Sequence, residues 1–329
     1  MNNSLRFIVT GGSGFIGTNL IDRLSAQGCS ILNIDINPPR NQDQMKFWQR
    51  IDICNFEMLK RSVENFNPNV IYHLAARTDL YGNTIDDYLA NTEGVKNIVD
   101  LVSSLKSLTI VVFASSRLVC EIGYQPKGDQ DYLPNTIYGE SKVIGEKIVR
   151  QNSYKIPCSW VIVRPTSIWG PWFSTPYKDF FSAIKSGRYF HPLGQTILKS
   201  FGYVGNSTYQ LLQLVKNAKL VDEKTLYLCD NEPINLEVMS NLIQRSLNVK
   251  KIKKIPICIL KMFAFLGDFL KIIGYKDPPL TSFRLKNLLQ NMVYDNNPLS
   301  VISPNLPYNL EESVSLTCDW IKSQDLKHS

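Results

Sequence analysis

A short apolar strand followed at once by three spaced glycines is the feature that most limits what this chain can fold into. Residues 6–18 read RFIVTGGSGFIGT, with Gly11, Gly14 and Gly17 spaced evenly along the run. Glycine permits a tight turn, a close approach of the backbone to a ligand, and close packing of the following helix on the strand. The positive end of that helix attracts an anion. The run therefore predicts a strand–turn–helix unit that holds the diphosphate of a dinucleotide.

An acidic residue stands where such a unit needs one. About 20 residues beyond the glycines, a carboxylate at the end of a second strand binds the adenosine ribose. The apolar run 30–35 ends on Asp35. Because a carboxylate accepts hydrogen bonds from the ribose hydroxyls and repels a 2′-phosphate, Asp35 favours NAD over NADP. Arg40 lies close enough in sequence to leave NADP open.

Apolar runs of strand length alternate with segments of helical period through the first half of the chain. This alternation predicts an α/β fold with a Rossmann-like, doubly wound parallel sheet. The expected strands are residues 7–10, 31–35, 70–74, 109–114, 160–164 and, returning later, 226–229; the expected helices are 18–26, 56–65, 88–105 and 138–152. We predict an NAD-binding domain of residues 1–165, with 197–230 returning to it. A smaller, interleaved C-terminal substrate-binding lobe would comprise residues 166–196 and 231–329.

Two side chains with matched chemistry share a predicted helix. Tyr138 and Lys142 are one helical turn apart, so both face the same way. An ammonium beside a phenol stabilises the phenolate, which makes the tyrosine a usable base. Ser116 follows an apolar strand at the carboxyl edge of the predicted sheet, where a hydroxyl can polarise a substrate oxygen. These three residues are the predicted catalytic set of a hydride-transfer centre.

Composition excludes several classes of protein. The 329 residues carry a net charge of +7, without aromatic residues interleaved in a basic tract, so a nucleic-acid partner is not indicated. Seven cysteines form no Cys-x-x-Cys pair, which suits a reducing cytoplasmic location. The scattered His73, His191 and His328 predict no metal site. We expect His73 at a strand end or in the core, and the other two at the surface.

The most hydrophobic tract covers residues 255–273 and is interrupted by three charged residues, which argues against a transmembrane segment. Its apolar residues recur at helical spacing and predict a packed or dimer-forming helix with a stripe made of Leu260, Phe263, Gly267 and Leu270. The basic run 250–254 before it leaves peripheral membrane contact open, although a solvated basic strand is the simpler interpretation.

In the order of its motifs, the chain resembles the extended short-chain dehydrogenase/reductase family, and within it the NAD-dependent nucleotide-sugar epimerase/dehydratase branch. The matching motifs span the first half of the chain: the glycine run, Asp35, Asp52-Ile53, His73 to Arg77, Asn91, Ser115-Ser116, Tyr138 to Lys142, and Arg164-Pro165. The second half matches more loosely, through residues 169–171, 201–204 and 228–234.

The resemblance implies which residues bind the cofactor and the substrate. The implied cofactor-binding residues are Gly11, Gly14, Phe15, Ile16, Gly17, Asp35, Asp52, Ile53, Ala75, Ala76 and Lys142. The substrate would contact Arg77, Ser167 and Lys199. Asn91 is either a structural or relay residue, or the cap of a helix. The resemblance also implies a homodimer in which helices 88–105 and 138–152 pair.

One departure from the branch bears on the reaction. Dehydratases of this branch follow the active-site hydroxyl with Asp-Glu, whereas Arg117 and Leu118 follow Ser116 here. Dehydration is therefore disfavoured. The leading hypothesis is an NAD-dependent epimerase, or an allied 4-ketoreductase, that acts on a nucleotide-sugar.

Two alternatives stay open. The order of Ile255-Pro256, residues 278–281 and residues 293–295 resembles 3β-hydroxysteroid and sterol dehydrogenases of the same superfamily, which would bring a lipid-like alcohol as substrate. A non-enzymatic dinucleotide-binding regulator is the third hypothesis. The presence of both Tyr138 and Lys142 disfavours it.

Overall fold

The computed structural model describes residues 5–174, 177–275, 278 and 280–328. The chain forms two compact units, each assembled from three separate stretches. Unit 1 comprises residues 1–168, 202–231 and 295–307, and unit 2 comprises residues 169–201, 232–294 and 308–329. Elements are numbered in chain order below. The functional division into a cofactor domain and a substrate lobe stays a prediction.

A seven-stranded sheet forms the centre of unit 1, in the order β11-β6-β5-β4-β1-β2-β3. Its strands are β1 (Arg6–Thr10), β2 (Ser30–Asp35), β3 (Trp48–Arg50), β4 (Val70–His73), β5 (Ile110–Ala114), β6 (Ser159–Pro165) and β11 (Thr225–Leu228). Every neighbouring pair is parallel. The predicted doubly wound parallel sheet is confirmed.

Helices cover both faces of this sheet. They are α1 (Phe15–Ala26), α2 (Phe56–Phe66), α3 (Glu93–Val102), α4 (Ile137–Gln151), α6 (Val204–Lys216) and α10 (Asn297–Ile302). One apolar cluster joins the sheet to α1, α6 and α10, and a second joins it to α2, α3 and α4. Since both faces are buried, the strands read as continuous apolar runs, which is why the sequence predicted them.

Two details differ from the sequence-based expectation. The helix expected over residues 88–105 is a 3₁₀ helix, Ile85–Asn91, followed by α3, because Tyr88 has non-helical backbone angles of φ −119° and ψ 34°. β3 was not expected, since Trp48–Arg50 has no apolar run and no fully buried side chain. Its pairing with the end of β2 is what makes it a strand.

Unit 2 is mainly helical. Its helices are α5 (Tyr177–Lys185), α7 (Leu236–Ser246), α8 (Ile257–Ile272), α9 (Ser282–Leu289) and α11 (Leu310–His328). Short strands accompany them: β8 (His191–Pro192) pairs in parallel with β13 (Lys254–Ile255), and β9 (Leu198–Lys199) pairs antiparallel with β12 (Ile234–Asn235). The remaining strands, β7 (Ser167–Trp169) and β10 (Phe201–Tyr203), include residues at unit boundaries.

Side-chain burial corrects two expectations in unit 2. His191 is buried, not at the surface, because β8 pairs with β13 on one side and Glu237 of α7 approaches on another, with Oε2 3.2 Å from His191 Nε2. Phe263 is exposed, and the packed stripe of α8 instead consists of Leu260, Ala264 and Gly267. The side chain of His328 lies outside the described residues. His73 is buried at the end of β4, as expected.

The described part of the chain has neither a membrane-spanning helix nor a cluster of metal-binding side chains. No helix there is both long and apolar enough to cross a bilayer. The same residues contain no group of three or more His, Cys, Asp or Glu side chains placed to hold a metal ion.

Candidate active site

The glycine run forms a tight cradle between β1 and α1. Gly11 has φ +71°, and a Cβ there would lie 2.5 Å from the backbone nitrogen of Ala75. A Cβ on Gly17 would collide with the carbonyl oxygen of Gly11 and lie 2.6 Å from the Cα of Gly12. Glycine at these positions allows the tight turn, and the close packing of α1 against it, that a dinucleotide-binding unit requires. The cradle therefore fits a dinucleotide.

Asp35 lies beside this cradle, at the carboxyl end of β2. Its carboxylate accepts hydrogen bonds from the backbone N–H of Ser13 at 3.1 Å and of Asn37 at 2.9 Å. Burial raises the pKa of Asp35, while these hydrogen bonds and the charge of Arg40 oppose the rise. Arg40 also donates to the carbonyl oxygen of Ser13 at 3.2 Å. The carboxylate is thus held where the ribose acceptor was predicted.

The other predicted cofactor residues of unit 1 lie at neighbouring strand ends and on α1. Phe15 and Ile16 open α1. Asp52 and the buried Ile53 follow β3, and Asp52 accepts from the N–H of Cys54 at 2.9 Å. Ala75 and Ala76 follow β4, and the contact of Gly11 with Ala75 brings that segment to the cradle.

The predicted catalytic residues lie on the segment that follows β5 and on the first two turns of α4. Ser116 follows β5, caps the short helix Arg117–Val119 and accepts at its Oγ from the N–H of Leu118 at 3.1 Å. A Cβ on Gly139 would collide with the carbonyl oxygen of Leu118, so the first turn of α4 packs directly on this segment. Lys142 donates from Nζ to the carbonyl oxygen of Ala114 at 3.0 Å. Ser116, Tyr138 and Lys142 are all buried.

Burial changes the ionisation of two groups here. It lowers the pKa of Lys142 to about 8, against the opposing charge of Glu146. Burial and the charge of Lys142 lower the pKa of His73 to about 3, so His73 is neutral. Its Nδ1 shares a 2.8 Å hydrogen bond with Thr10 Oγ1, and its Nε2 has no partner among the described residues. A cavity of about 10 Å³, room for about one water molecule, lies between His73 and Lys142.

A buried ion pair behind the site was missed by sequence reasoning. Arg164, on β6, donates from Nε and Nη2 to the two carboxylate oxygens of Glu146, on α4, both at 2.8 Å. Ser115 and Tyr132 also donate to this carboxylate, at 2.6 and 3.0 Å. The guanidinium lies between the rings of Tyr132 and Tyr227. The sequence placed Arg164 in a matching motif and Glu146 one turn beyond Lys142, but neither feature indicates that the two side chains meet in the core.

Asn91 holds the loop that follows β4. Its Oδ1 accepts from the N–H of Arg77 at 2.9 Å, and its Nδ2 donates to the Arg77 carbonyl oxygen at 3.0 Å and to Ser141 Oγ at 2.8 Å. Asn91 ends a 3₁₀ helix and caps no helix start. Of the two interpretations of Asn91, the structural one agrees with these contacts.

The three residues predicted to contact substrate have different surroundings. The Arg77 side chain is partly exposed and makes a bidentate pair with Asp79, at 2.8 and 3.1 Å. Ser167 is buried in β7. Lys199 is buried in unit 2, where its Nζ donates to the carbonyl oxygens of Asn287 and Gln290. The ammonium of Lys199 thus has a structural role in unit 2, and substrate contact by all three residues stays a prediction.

Arg117 is a further residue that the sequence left without a role. It directly follows Ser116, where the branch's dehydratases carry an acid. Its Nη1 is buried and makes no hydrogen bond to any residue that the structure describes. A cation, not a carboxylic acid, therefore stands next to the predicted catalytic serine.

Comparison with known proteins gives relatives of two kinds. A 4-epimerase of Escherichia coli O157:H7, named for N-acetyl-α-D-glucosaminyl-diphospho-ditrans,octacis-undecaprenol, is 25% identical over 97% of this chain and 96% of its own length. A 3β-hydroxysteroid dehydrogenase of Mycolicibacterium neoaurum is 28% identical over 70% of this chain and 67% of its own. The Thermus thermophilus UDP-glucose 4-epimerase, solved with NAD, shares the fold with a TM-score of 0.70 at 19% identity, covering 97% of this chain and 99% of that one.

A family model settles the wider assignment. The model of the NAD dependent epimerase/dehydratase family matches residues 7–204, more than half of the chain. This range contains the glycine cradle, Asp35, Ser116, Tyr138 and Lys142. The chain is therefore an NAD-dependent enzyme that belongs to the epimerase/dehydratase family, in the extended short-chain dehydrogenase/reductase group.

Proposed function

We propose that this protein is an NAD-dependent epimerase that inverts a ring hydroxyl of a diphosphate-linked sugar, with a nucleotide-sugar as the leading substrate. The observation that carries the proposal is the burial of Ser116, Tyr138 and Lys142 at the carboxyl end of β5, in the same compact unit as the glycine cradle. Ligands of open α/β sheets bind beyond the carboxyl ends of the strands, so these side chains stand where a substrate would meet the cofactor.

Each residue has one task in the proposed proton transfer. Tyr138, as phenolate, takes the proton of the sugar hydroxyl that is oxidised and returns it when the hydroxyl is formed again. Lys142 stabilises the phenolate by its charge, as long as the ammonium keeps its proton. Ser116 donates a hydrogen bond to the substrate oxygen and supports it while its charge develops.

The proposed cofactor residues are those of the cradle and the strand ends beside it. Gly11, Gly14, Gly17 and the start of α1 would hold the diphosphate, and Asp35 the adenosine ribose. When bound, NAD supplies the acceptor for the substrate's hydride and then the donor that returns it. An epimerase returns the hydride to the opposite face of the keto sugar, so no net NADH is released.

Arg117 supports inversion over dehydration. Elimination of water needs an acid and a base beside the active-site hydroxyl. Here an arginine, not a carboxylic acid, stands next to Ser116. Its buried Nη1 suits binding of an anionic oxygen of the substrate.

The relatives support a sugar joined to a diphosphate. The Escherichia coli relative, matched over nearly its full length, is named for a sugar carried on undecaprenyl diphosphate, and the Thermus thermophilus structure is of a UDP-glucose epimerase. The two names share the sugar diphosphate and differ in what it is attached to. The assay should therefore include sugars attached to UDP and sugars attached to a polyprenyl diphosphate.

The test is epimer formation. Purified protein is incubated with catalytic NAD and either a UDP-hexose, a UDP-N-acetylhexosamine or a polyprenyl-diphospho-N-acetylhexosamine, and the epimer ratio is read by NMR or chromatography. Tyr138→Phe should lower kcat by about 10²- to 10⁴-fold, because the general base is lost, with NAD affinity changed by less than about twofold. Tyr154→Phe is the matched control, since Tyr154 is 80% exposed. Equal activity of wild type and Tyr138→Phe would contradict the proposal.

The 28% identity to a 3β-hydroxysteroid dehydrogenase favours one second candidate, a sterol-type dehydrogenase. This reaction oxidises the alcohol and leaves the hydride on the cofactor, so NADH accumulates in proportion to product. Steady NADH release with a 3β-hydroxysteroid, together with no epimer from any sugar diphosphate, would replace the epimerase proposal by this one.

A further inference from the structure

Helix α8 packs through one side and exposes an apolar surface on the other. Its packed side consists of Leu260, Ala264 and Gly267, which are buried against a small cluster that includes Leu285 of α9. A Cβ on Gly267 would collide with the carbonyl oxygen of Leu280, so this side is in close contact with the rest of unit 2. The packed side accounts for only part of the apolar residues of α8.

The opposite side, here called the α8 outer face, is apolar and open to solvent. Six side chains recur on it at helical spacing, each between 55% and 82% exposed: Met262, Phe265, Leu266, Phe269, Ile272 and Ile273. Single exposed apolar residues are common, but a contiguous group of this kind marks an interaction surface. A helix that is apolar on all sides is buried in a core or in lipid.

The length of α8 decides between spanning a bilayer and lying on it. The helix runs for 16 residues, which at about 1.5 Å per residue is shorter than the roughly 30 Å of a hydrocarbon core. An interfacial helix has no such length requirement. It needs an exposed apolar face and basic residues nearby.

The net positive charge of this protein is concentrated in the sequence segment that contains α8. Residues 250–290 contain nine Lys and Arg and two Asp, so their net charge of +7 equals that of the entire chain. Lys276 and Asp277 of this segment lie outside the described residues. The eight basic residues that the structure describes are all exposed: Lys250, Lys251, Lys253, Lys254, Lys261, Lys271, Arg284 and Lys286.

We propose that the α8 outer face docks on the surface of an acidic phospholipid bilayer. The aromatic and aliphatic side chains enter the interface between headgroups and acyl chains, and the surrounding Lys and Arg contact lipid phosphates. The charge argues against a second copy of the chain as the occupant, because two such positive segments would repel each other across the contact. The proposal rests on α8 and its charges and is independent of the epimerase proposal.

The experiment measures binding of the full chain to vesicles. Sedimentation with vesicles of mixed phosphatidylglycerol and phosphatidylcholine is compared with vesicles of phosphatidylcholine alone, and we expect binding to the acidic vesicles that weakens as salt is raised. The double variant Phe265→Glu and Phe269→Glu should lose at least about tenfold in partitioning, because charged groups resist entry into the interface. Leu220→Glu is the matched control, since Leu220 is 62% exposed in unit 1.

A second variant tests the charges separately. Changing Lys250, Lys251 and Lys253 to Gln should weaken binding to acidic vesicles by at least about tenfold, given roughly fivefold for each basic residue near an anionic surface. All the changed side chains are exposed, so thermal unfolding should show wild-type stability. This check separates lost binding from lost folding.

Several outcomes would overturn the proposal: no vesicle binding by the wild type, equal binding to neutral and acidic vesicles, or unchanged binding of both variants. A protein that dimerises in sedimentation velocity, becomes monomeric with the Phe265 and Phe269 changes and ignores vesicles would assign the face to a second copy instead. Epimer formation from a soluble UDP-sugar is measured in parallel without lipid, so failure of either proposal is seen separately.

Discussion

At the scale of single residues, the charge of Lys142 has opposite effects on the proposed catalysis and on stability. Its charge supports the proposed phenolate of Tyr138, but burial penalises that charge and lowers the pKa of Lys142 from 10.5 to about 8. The charge of Glu146 offsets only part of the penalty, while Nζ donates to the Ala114 carbonyl oxygen. The buried ammonium of Lys142 therefore reduces the stability of the fold at neutral pH.

This opposition predicts a pH dependence of stability. Between about pH 8 and pH 10.5 the unfolded chain binds a proton at Lys142 that the folded chain has released, so the free energy of unfolding rises with pH through this window. Methionine does not titrate, so Lys142→Met lacks this effect. From about pH 7 to about pH 10, the free energy of unfolding of the wild type should rise by on the order of 2 to 3 kcal/mol more than that of Lys142→Met. Denaturant unfolding of both proteins at about pH 7 and about pH 10 measures the difference. Parallel changes in the two proteins would show that Lys142 is not responsible.

At the scale of elements, α4 is joined to the sheet by the buried Glu146–Arg164 pair. The Glu146 carboxylate also accepts a hydrogen bond from the hydroxyl of Ser115, which follows β5 and precedes Ser116. One side chain thus connects α4, β5 and β6, the elements around the proposed catalytic residues. Buried ion pairs contribute little net stability compared with apolar residues, but loss of one partner leaves a buried charge uncompensated.

Glu146→Gln should therefore be strongly destabilising. We expect a loss of about 3 to 5 kcal/mol in the free energy of unfolding, since Arg164 keeps its charge in a buried position. Glu140→Gln, an exposed change on the same helix, should stay within about 0.5 kcal/mol of wild type. Urea unfolding at neutral pH compares the two variants, and equal losses would remove the proposed role of the pair.

The turn between β1 and α1 gives a second test at this scale. In Gly17→Ala the new methyl group would meet the backbone of Gly11 and Gly12, which cannot move aside as a flexible side chain would. We expect a loss of about 1 to 3 kcal/mol in stability and at least about tenfold in NAD affinity. Gly128→Ala is the control, because a Cβ at Gly128 has no atom within 4 Å. Calorimetric titration measures the affinity for NAD. Unchanged NAD affinity of Gly17→Ala would contradict the proposed role of the glycine cradle in binding the cofactor.

At the scale of the whole molecule, the chain leaves unit 1 and returns to it twice. Residues 202–231 supply β11, a strand of the sheet that carries the glycine cradle, and α6, which packs on that sheet. Residues 295–307 supply α10, which packs on the same sheet. A ligand of the cradle should thus stabilise segments that are far from it in sequence. The homodimer and the cytoplasmic location implied by the sequence stay predictions.

Hydrogen exchange can measure this long-range effect. Saturating NAD at about 100 times its dissociation constant should stabilise the folded protein by about 2.7 kcal/mol. If unit 1 unfolds as one body, protection should increase in α6 and α10 as well as in α1. The same amount of NADP should protect less, because Asp35 repels a 2′-phosphate. An increase limited to α1 would show that the three stretches of unit 1 do not open together.

The amino-acid sequence by itself determined the local features of this protein. Both faces of the sheet are buried, so its main strands appear as apolar runs, and the spacing of Tyr138 and Lys142 depends only on helix geometry. The glycine cradle was predictable for a similar reason, because the turn and the helix start that would bind the diphosphate are adjacent in sequence. Family membership followed from the order of these motifs.

Only the tertiary structure decided features that depend on residues distant in sequence. Glu146 meets Arg164 because α4 packs on β6, and His191 is buried because both β13 and α7 pack beside β8. Lys199 donates to carbonyl oxygens about 90 residues further along the chain, a contact that nothing in the sequence indicates. The exposure of the α8 outer face likewise depends on which side of the helix the rest of unit 2 covers. Periodicity shows that residues share a face, but the fold alone determines what that face meets.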